Sequence, residues 1–224
     1  VSAVDNNTAY YIRYYDESAK EYYYLSGGAQ WGSQAVTAKH GASYTTRNGS
    51  GDTFKLESEW KNSDTQFYLG SNLYNDANSA DYTFALQNGK YTISTQGNHL
   101  KPNGINAPVT TQTSASYVWE LVSREEMEKS LDLASKNEPV DATFFIKDPG
   151  FSRNVNSNLK GAWKVLGNSL AGNTTYGSST KIYNFVGGQN DALKANVRVT
   201  EAAGGNDPWT VSQTLTGLPA GNYL

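Results

Sequence analysis

One pattern occurs three times in the first half of this chain, and it limits the folds open to it more than any other feature. Each copy starts on an aromatic or histidine followed by leucine and finishes on aromatic–x–Leu. Tyr24-Leu25 leads to Phe54-Lys55-Leu56, Tyr68-Leu69 to Phe84-Ala85-Leu86, and His99-Leu100 to Trp119-Glu120-Leu121. The starts at Leu25, Leu69 and Leu100 are 44 and 31 residues apart. Turn-rich stretches fill the copies: SGGAQWGSQA, GSNLYNDANSAD and KPNGINAPVTTQ. Further strands are expected at Tyr10–Tyr15 and Lys90–Ser94. A repeat of this length means that one supersecondary unit recurs and that its copies bury each other's apolar faces.

Three four-strand units of about 40 residues each are the arithmetic of a β-trefoil. One unit alone leaves its inward residues wet. Three together close a small barrel and remove the sheet edges on which chains aggregate. Strand alternation turns Phe54 and Leu56 inward and Lys55 outward. The trefoil is expected over residues 1–122, with Trp119 in its core. A β-sandwich or an irregular meander is the alternative.

The stretch 123–138 is expected to be a helical connector. Ser123 and Glu126 have capping-box spacing. Met127, Leu131 and Ala134 recur at i, i+4 and i+7 and make one apolar stripe, which predicts a helix packed on one face over 123–136. Asn137 and Pro139 stop it.

Composition narrows the setting. Aromatics are 12% of residues and sixteen residues are tyrosine, whereas charged residues are only 17%. Tyrosine favours strands, and amides and glycines favour turns. The net charge of −3 comes without a basic run, so neither nucleic acid nor anionic membrane is an expected partner. With no cysteine, disulfides and thiolate metal sites are excluded. No run of about 18 apolar residues offers membrane insertion. The start at Val1 reads as a mature or trimmed chain, and the end at Tyr223-Leu224 as a strand cut short.

The repeats resemble those of ricin-type β-trefoil lectins and related modules of secreted bacterial glycan-handling proteins. The lectins' Gln-x-Trp is replaced by Phe-x-Leu twice and by Trp119-Glu120-Leu121 in the third copy. After Pro139, an apolar run leads to Asp148-Pro149-Gly150-Phe151 and then Gly161-Ala162-Trp163-Lys164-Val165. Later come Trp209–Gln213 and Gly217-Leu218-Pro219-Ala220-Gly221-Asn222-Tyr223. This order resembles the galactose-binding-like jelly rolls of carbohydrate-binding modules. The whole series resembles large surface proteins of gut Bacteroidetes. The resemblance implies a mainly β chain: an N-terminal trefoil, one connecting helix and, over 139–224, a partial jelly-roll sandwich. A jelly roll has eight strands and only five or six can be placed here, so a partner chain or further residues would complete it. Trp163 and Trp209 are expected in its core. A structural calcium is also implied, without assignable ligands; no other cofactor is expected.

Sugar recognition needs aromatic faces, amides and carboxylates on loops held by a rigid sheet. Trp31 and Gln34 in the first turn-rich stretch, with Tyr44 downstream, are candidate ligand-binding residues. Trp31 between glycines also fits a cap over the barrel's end. Tyr74, Asn75 and Asp76 form the second candidate group. Asn103–Asn106 is explained by turn chemistry alone. Asp76, Asn78 and Asp81 begin like a calcium loop but lack its glycine and final glutamate, so a solvated turn is expected. The glycine-rich stretches at 187–191 and 204–208 are not set between a strand and a helix. His40 and His99 lack zinc-ligand spacing, and no Gly-x-Ser-x-Gly elbow is present.

The resulting expectation is a non-enzymatic, secreted or cell-surface bacterial protein that binds a glycan or glycoprotein. Two alternatives stay open. One is a structural or adhesive surface component completed by a partner chain. The other is a set of accessory domains of a larger glycoside hydrolase or protease.

Overall fold

A computed structural model describes residues 3–27, 34–59, 68–147, 149, 164–166, 174–176, 197–199 and 210–223. The chain is mainly β. The first twelve strands are β1 (Ala9–Asp16), β2 (Glu21–Ser26), β3 (Val36–Ala38), β4 (Tyr44–Ser50), β5 (Thr53–Ser58), β6 (Tyr68–Leu69), β7 (Asn75–Asp76), β8 (Tyr82–Gln87), β9 (Lys90–Thr95), β10 (Asn98–Lys101), β11 (Ala107–Pro108) and β12 (Thr110–Gln112). With β13 (Glu120–Ser123) they form one antiparallel sheet.

Two kinds of pairing organise it. One run of pairings goes β1–β4–β5–β8–β9. Beyond β9, Tyr91 and Trp119 exchange backbone hydrogen bonds of 2.8 and 2.7 Å, and β13 then pairs with β1. The other pairings branch off this run as β2–β3, β6–β7 and β10–β12, and β11 joins β3. Asn88-Gly89 and Gln96-Gly97 have positive φ at both positions, the two-residue turn whose twist matches flanking antiparallel strands. In β4 the register shifts between Arg47 and Ser50. Gly49 sits in that irregularity against the buried Phe54 ring, where a Cβ would collide with it.

The repeat pattern maps onto the core. Leu25, Leu69 and Leu100, one per start, are fully buried. Phe54 and Leu56 point inward as expected, and so do Trp119 and Leu121. The second finish departs from the pattern: Phe84 is buried but Leu86 is 57% exposed. Leu86 pairs with Tyr91 close to the Asn88-Gly89 turn, where the hairpin has run past the packed interior. Ring edges meet ring faces through the core, as in Phe54–Phe84 and Phe84–Tyr91, at 6.1 and 6.2 Å.

The connector begins as expected and ends sooner. Ser123 and Glu126 form the reciprocal capping box of α1 (Arg124–Lys129), and a 3₁₀ turn follows at Ser130–Leu133. The expected continuation to residue 136 and the apolar stripe do not form. Ala134 is extended and exposed, and Leu133 is 76% exposed. Without burial of one face, so short a helix gains too little to propagate. The chain then folds back as a 3₁₀ turn at Thr143–Phe145, within the apolar run that follows Pro139.

Arg124 fastens this return. It donates to the Tyr11 hydroxyl at 3.0 Å and to the Phe144 carbonyl at 2.9 Å, and its guanidinium lies over the Phe144 and Phe145 rings. Further on, β14 (Lys164–Leu166) pairs with β17 (Thr210–Ser212), and β15 (Thr174–Tyr176) with β16 (Val197–Val199). Gln213 exchanges two hydrogen bonds of 2.8 Å with the Lys147 backbone. Trp163, Trp209 and both later glycine-rich stretches lie outside the described residues. No helix among the described residues is long and apolar enough to cross a membrane.

Candidate ligand-binding surfaces

One described residue from each of the three turn-rich stretches meets the others through backbone hydrogen bonds. Ala35 N–H donates to the Leu73 carbonyl at 2.7 Å, and the Ala35 carbonyl accepts from Val109 N–H at 2.9 Å. One residue from each repeat thus meets, at 38- and 36-residue spacing, and all three are buried. Leu73 reaches this point with φ of +59°, a backbone region costly for a bulky side chain. Its neighbour Tyr74 is thereby turned outward, 43% exposed, and bridges Gln34. The Gln34 amide also donates to the Val109 carbonyl at 3.4 Å.

Two of the expected binding residues, Gln34 and Tyr74, come together here from different repeats. Asp76 follows half-buried, with its carboxylate accepting the Asn78 N–H at 3.0 Å. Asp81 instead faces Lys55 at 3.0 Å, so the acids of the calcium-like spacing serve a local turn and an ion pair. Asn75 is 1% exposed and Tyr44 0% exposed. Neither can touch a ligand from solvent; both lie beneath the surface and support it. Tyr44 sits on the inward face of β4, and burial pushes its hydroxyl well above the ordinary tyrosine range. Trp31 lies outside the described residues.

A second surface was not legible in the sequence. A cleft of about 620 Å³ opens between the β1, β9 and β13 ladders on one side and α1 with the returning segment on the other. Glu120 is its electrostatic centre. The carboxylate takes Arg13 Nε at 3.1 Å, Arg13 Nη2 at 3.0 Å, Lys90 Nζ at 3.1 Å and the Tyr22 hydroxyl at 3.1 Å. Burial alone would raise its carboxyl, but these donors hold it below the ordinary glutamate range. The Arg13 guanidinium lies 3.9 Å from the centroid of the Tyr22 ring. Across the cleft His40 Nδ1 and Asp141 Oδ2 are 3.5 Å apart, and Thr143 N–H caps Asp141 at 2.8 Å. Tyr24, Met127, Phe144 and Ile146 supply apolar wall.

These residues come from six separate stretches of sequence, which is why no motif announces them. The one available signal was the alternation in β1 and β13, which turns Arg13 and Glu120 away from the core side of their strands. No group of three or more His, Asp or Glu suited to a metal ion occurs among the described residues. Comparison with protein-family models, with curated proteins and with solved structures gave no match.

Proposed function

We propose that the protein is a non-catalytic glycan- or glycoprotein-binding module of a secreted or cell-surface protein, and that its first half is a β-trefoil. The trefoil reading is supported by the circuit of six strands, β1–β4–β5–β8–β9–β13, with three hairpin branches. It is supported again by the meeting of Ala35, Leu73 and Val109 at nearly equal spacing. The second half is read as part of a galactose-binding-like jelly roll, in keeping with its antiparallel strand pairs.

The observation that carries the binding reading is the Gln34–Tyr74 bridge. It pairs, backbone to backbone, a residue with an exposed aromatic ring and a residue carrying an amide, the two side-chain types that receive the C–H face and the hydroxyls of a sugar. Tyr74→Ala in the intact chain should abolish or strongly weaken retention of glycans captured by the parent protein. Equal retention by both would reject this surface. The second reading, a rigid spacer in a surface assembly, is favoured by the Arg124 contacts, which tie the connector back onto β1.

A further inference from the structure

We propose that the Glu120 cleft is a second ligand site, independent of the hairpin face, and that it takes a small hydroxylated carboxylate, the chemistry of an acidic sugar. Its volume falls in the range of small-molecule sites, and its walls mix apolar surface with convergent polar groups. What selects the ligand is the balance of donors and acceptors. The three acids on the walls are already served by protein donors. Glu120 receives Arg13, Lys90 and Tyr22; Asp141 receives Thr143 N–H and faces His40; Glu126 receives the Ser123 N–H at 2.7 Å and its hydroxyl at 3.0 Å.

The cations are less fully used. Lys90 has three N–H groups and a single partner, Glu120. Lys39 reaches only Glu21, at 3.7 Å. The cleft therefore has donors to spare and calls for a ligand rich in acceptors. Three cations and three acids leave too little net positive charge on the walls for a phosphate dianion; a single carboxylate is placed by the local charge of Lys90, whose side chain is 39% exposed. Hydroxyls on the ligand would use the remaining N–H groups, and a ring would lie along Tyr24 and Met127 on the apolar wall.

Calorimetric or NMR titration of the intact chain with glucuronate, glucose and acetate tests this. Glucuronate is expected to bind, glucose at equal concentration not to bind, and acetate to bind more weakly than glucuronate. Lys90→Gln should weaken glucuronate binding about tenfold, the loss of one charge-assisted hydrogen bond. Lys90→Arg should retain it, and Leu133→Ser, on an exposed side chain outside the cleft, should leave it unchanged. The proposal is overturned if glucose binds as well as glucuronate or if neither binds. It is equally overturned if a natively folded Lys90→Gln protein binds glucuronate like the parent, with thermal melting used to establish folding.

Discussion

Arg124 and Tyr11 stand 3.0 Å apart, guanidinium to hydroxyl, and this contact joins the first residue of the helix to the first strand of the sheet. The same guanidinium covers Phe144 and Phe145 from the returning segment. Two other parts of the chain, 113 and 20 residues away along the sequence, are fixed to the helix by this one side chain. Burial pushes the Tyr11 hydroxyl up to about 12, so across the physiological range it keeps its proton and donates to the Phe144 carbonyl at 3.4 Å while accepting from Arg124.

Arg124→Ala removes these hydrogen bonds and the stacking together, at a cost of about 2–4 kcal/mol. Lysine should not restore it, because an ammonium cannot stack on two rings and donate in a planar fork. Melting temperature reads the loss. Limited proteolysis should show earlier cleavage within 134–147 in both variants.

Trp119 tests the core. Its side chain is fully buried, and its backbone exchanges both hydrogen bonds with Tyr91. Trp119→Ala should destabilise by about 3–5 kcal/mol in denaturant unfolding. Leu86→Ser, at the place in the second repeat that matches the buried Leu121 but itself exposed, should change stability by no more than about 0.5 kcal/mol.

Glu59 gives a pH signature. Burial raises its carboxyl above the ordinary range, opposed by the Ser43 N–H bond and the charges of Arg124 and Lys147. For a raised folded value, stability is fully present below the unfolded value and is lost as pH rises through the folded one. Glu59→Gln keeps an acceptor for Ser43 and removes the buried charge. It should melt higher than the parent at about pH 7.5 and match it at about pH 4.

Glu120 has the opposite sign. Its folded value is depressed despite burial, by the donors from Lys90, Arg13 and Tyr22. Its stabilisation is present above the unfolded value and fades as pH falls through the folded one. Glu120→Gln should cost about 1–3 kcal/mol at about pH 7 and show a shallower acid limb in melting experiments.

The sequence was most readable where period and burial coincide. The x-Leu starts, the Phe54 and Trp119 finishes and the Ser123–Glu126 cap are local signals, and each is found in place. Leu86 departs from the repeat because alternation says which face a residue occupies but not where along a hairpin the packed interior stops. The helix was overextended because the Met127–Leu131–Ala134 stripe has no surface to bury against past Lys129. At the candidate sites, Gln34 and Tyr74 were named separately, and only the fold brings them together. Asn75 and Tyr44 looked like surface polar groups because composition does not reveal burial. The Glu120 cleft was invisible, since ion pairs between residues 13, 90 and 120 leave no spacing to read.

The central claim is that rigid loop tips at the hairpin end bind glycan without acting on it. A glycan array probed in parallel with the intact protein and with its Tyr74→Ala variant tests this most directly. The account predicts a defined set of glycans retained by the parent, recovered chemically unchanged, and lost or strongly weakened in the variant. An array bare for both proteins, glycans retained equally by both, or bound glycan released as cleaved product would contradict it.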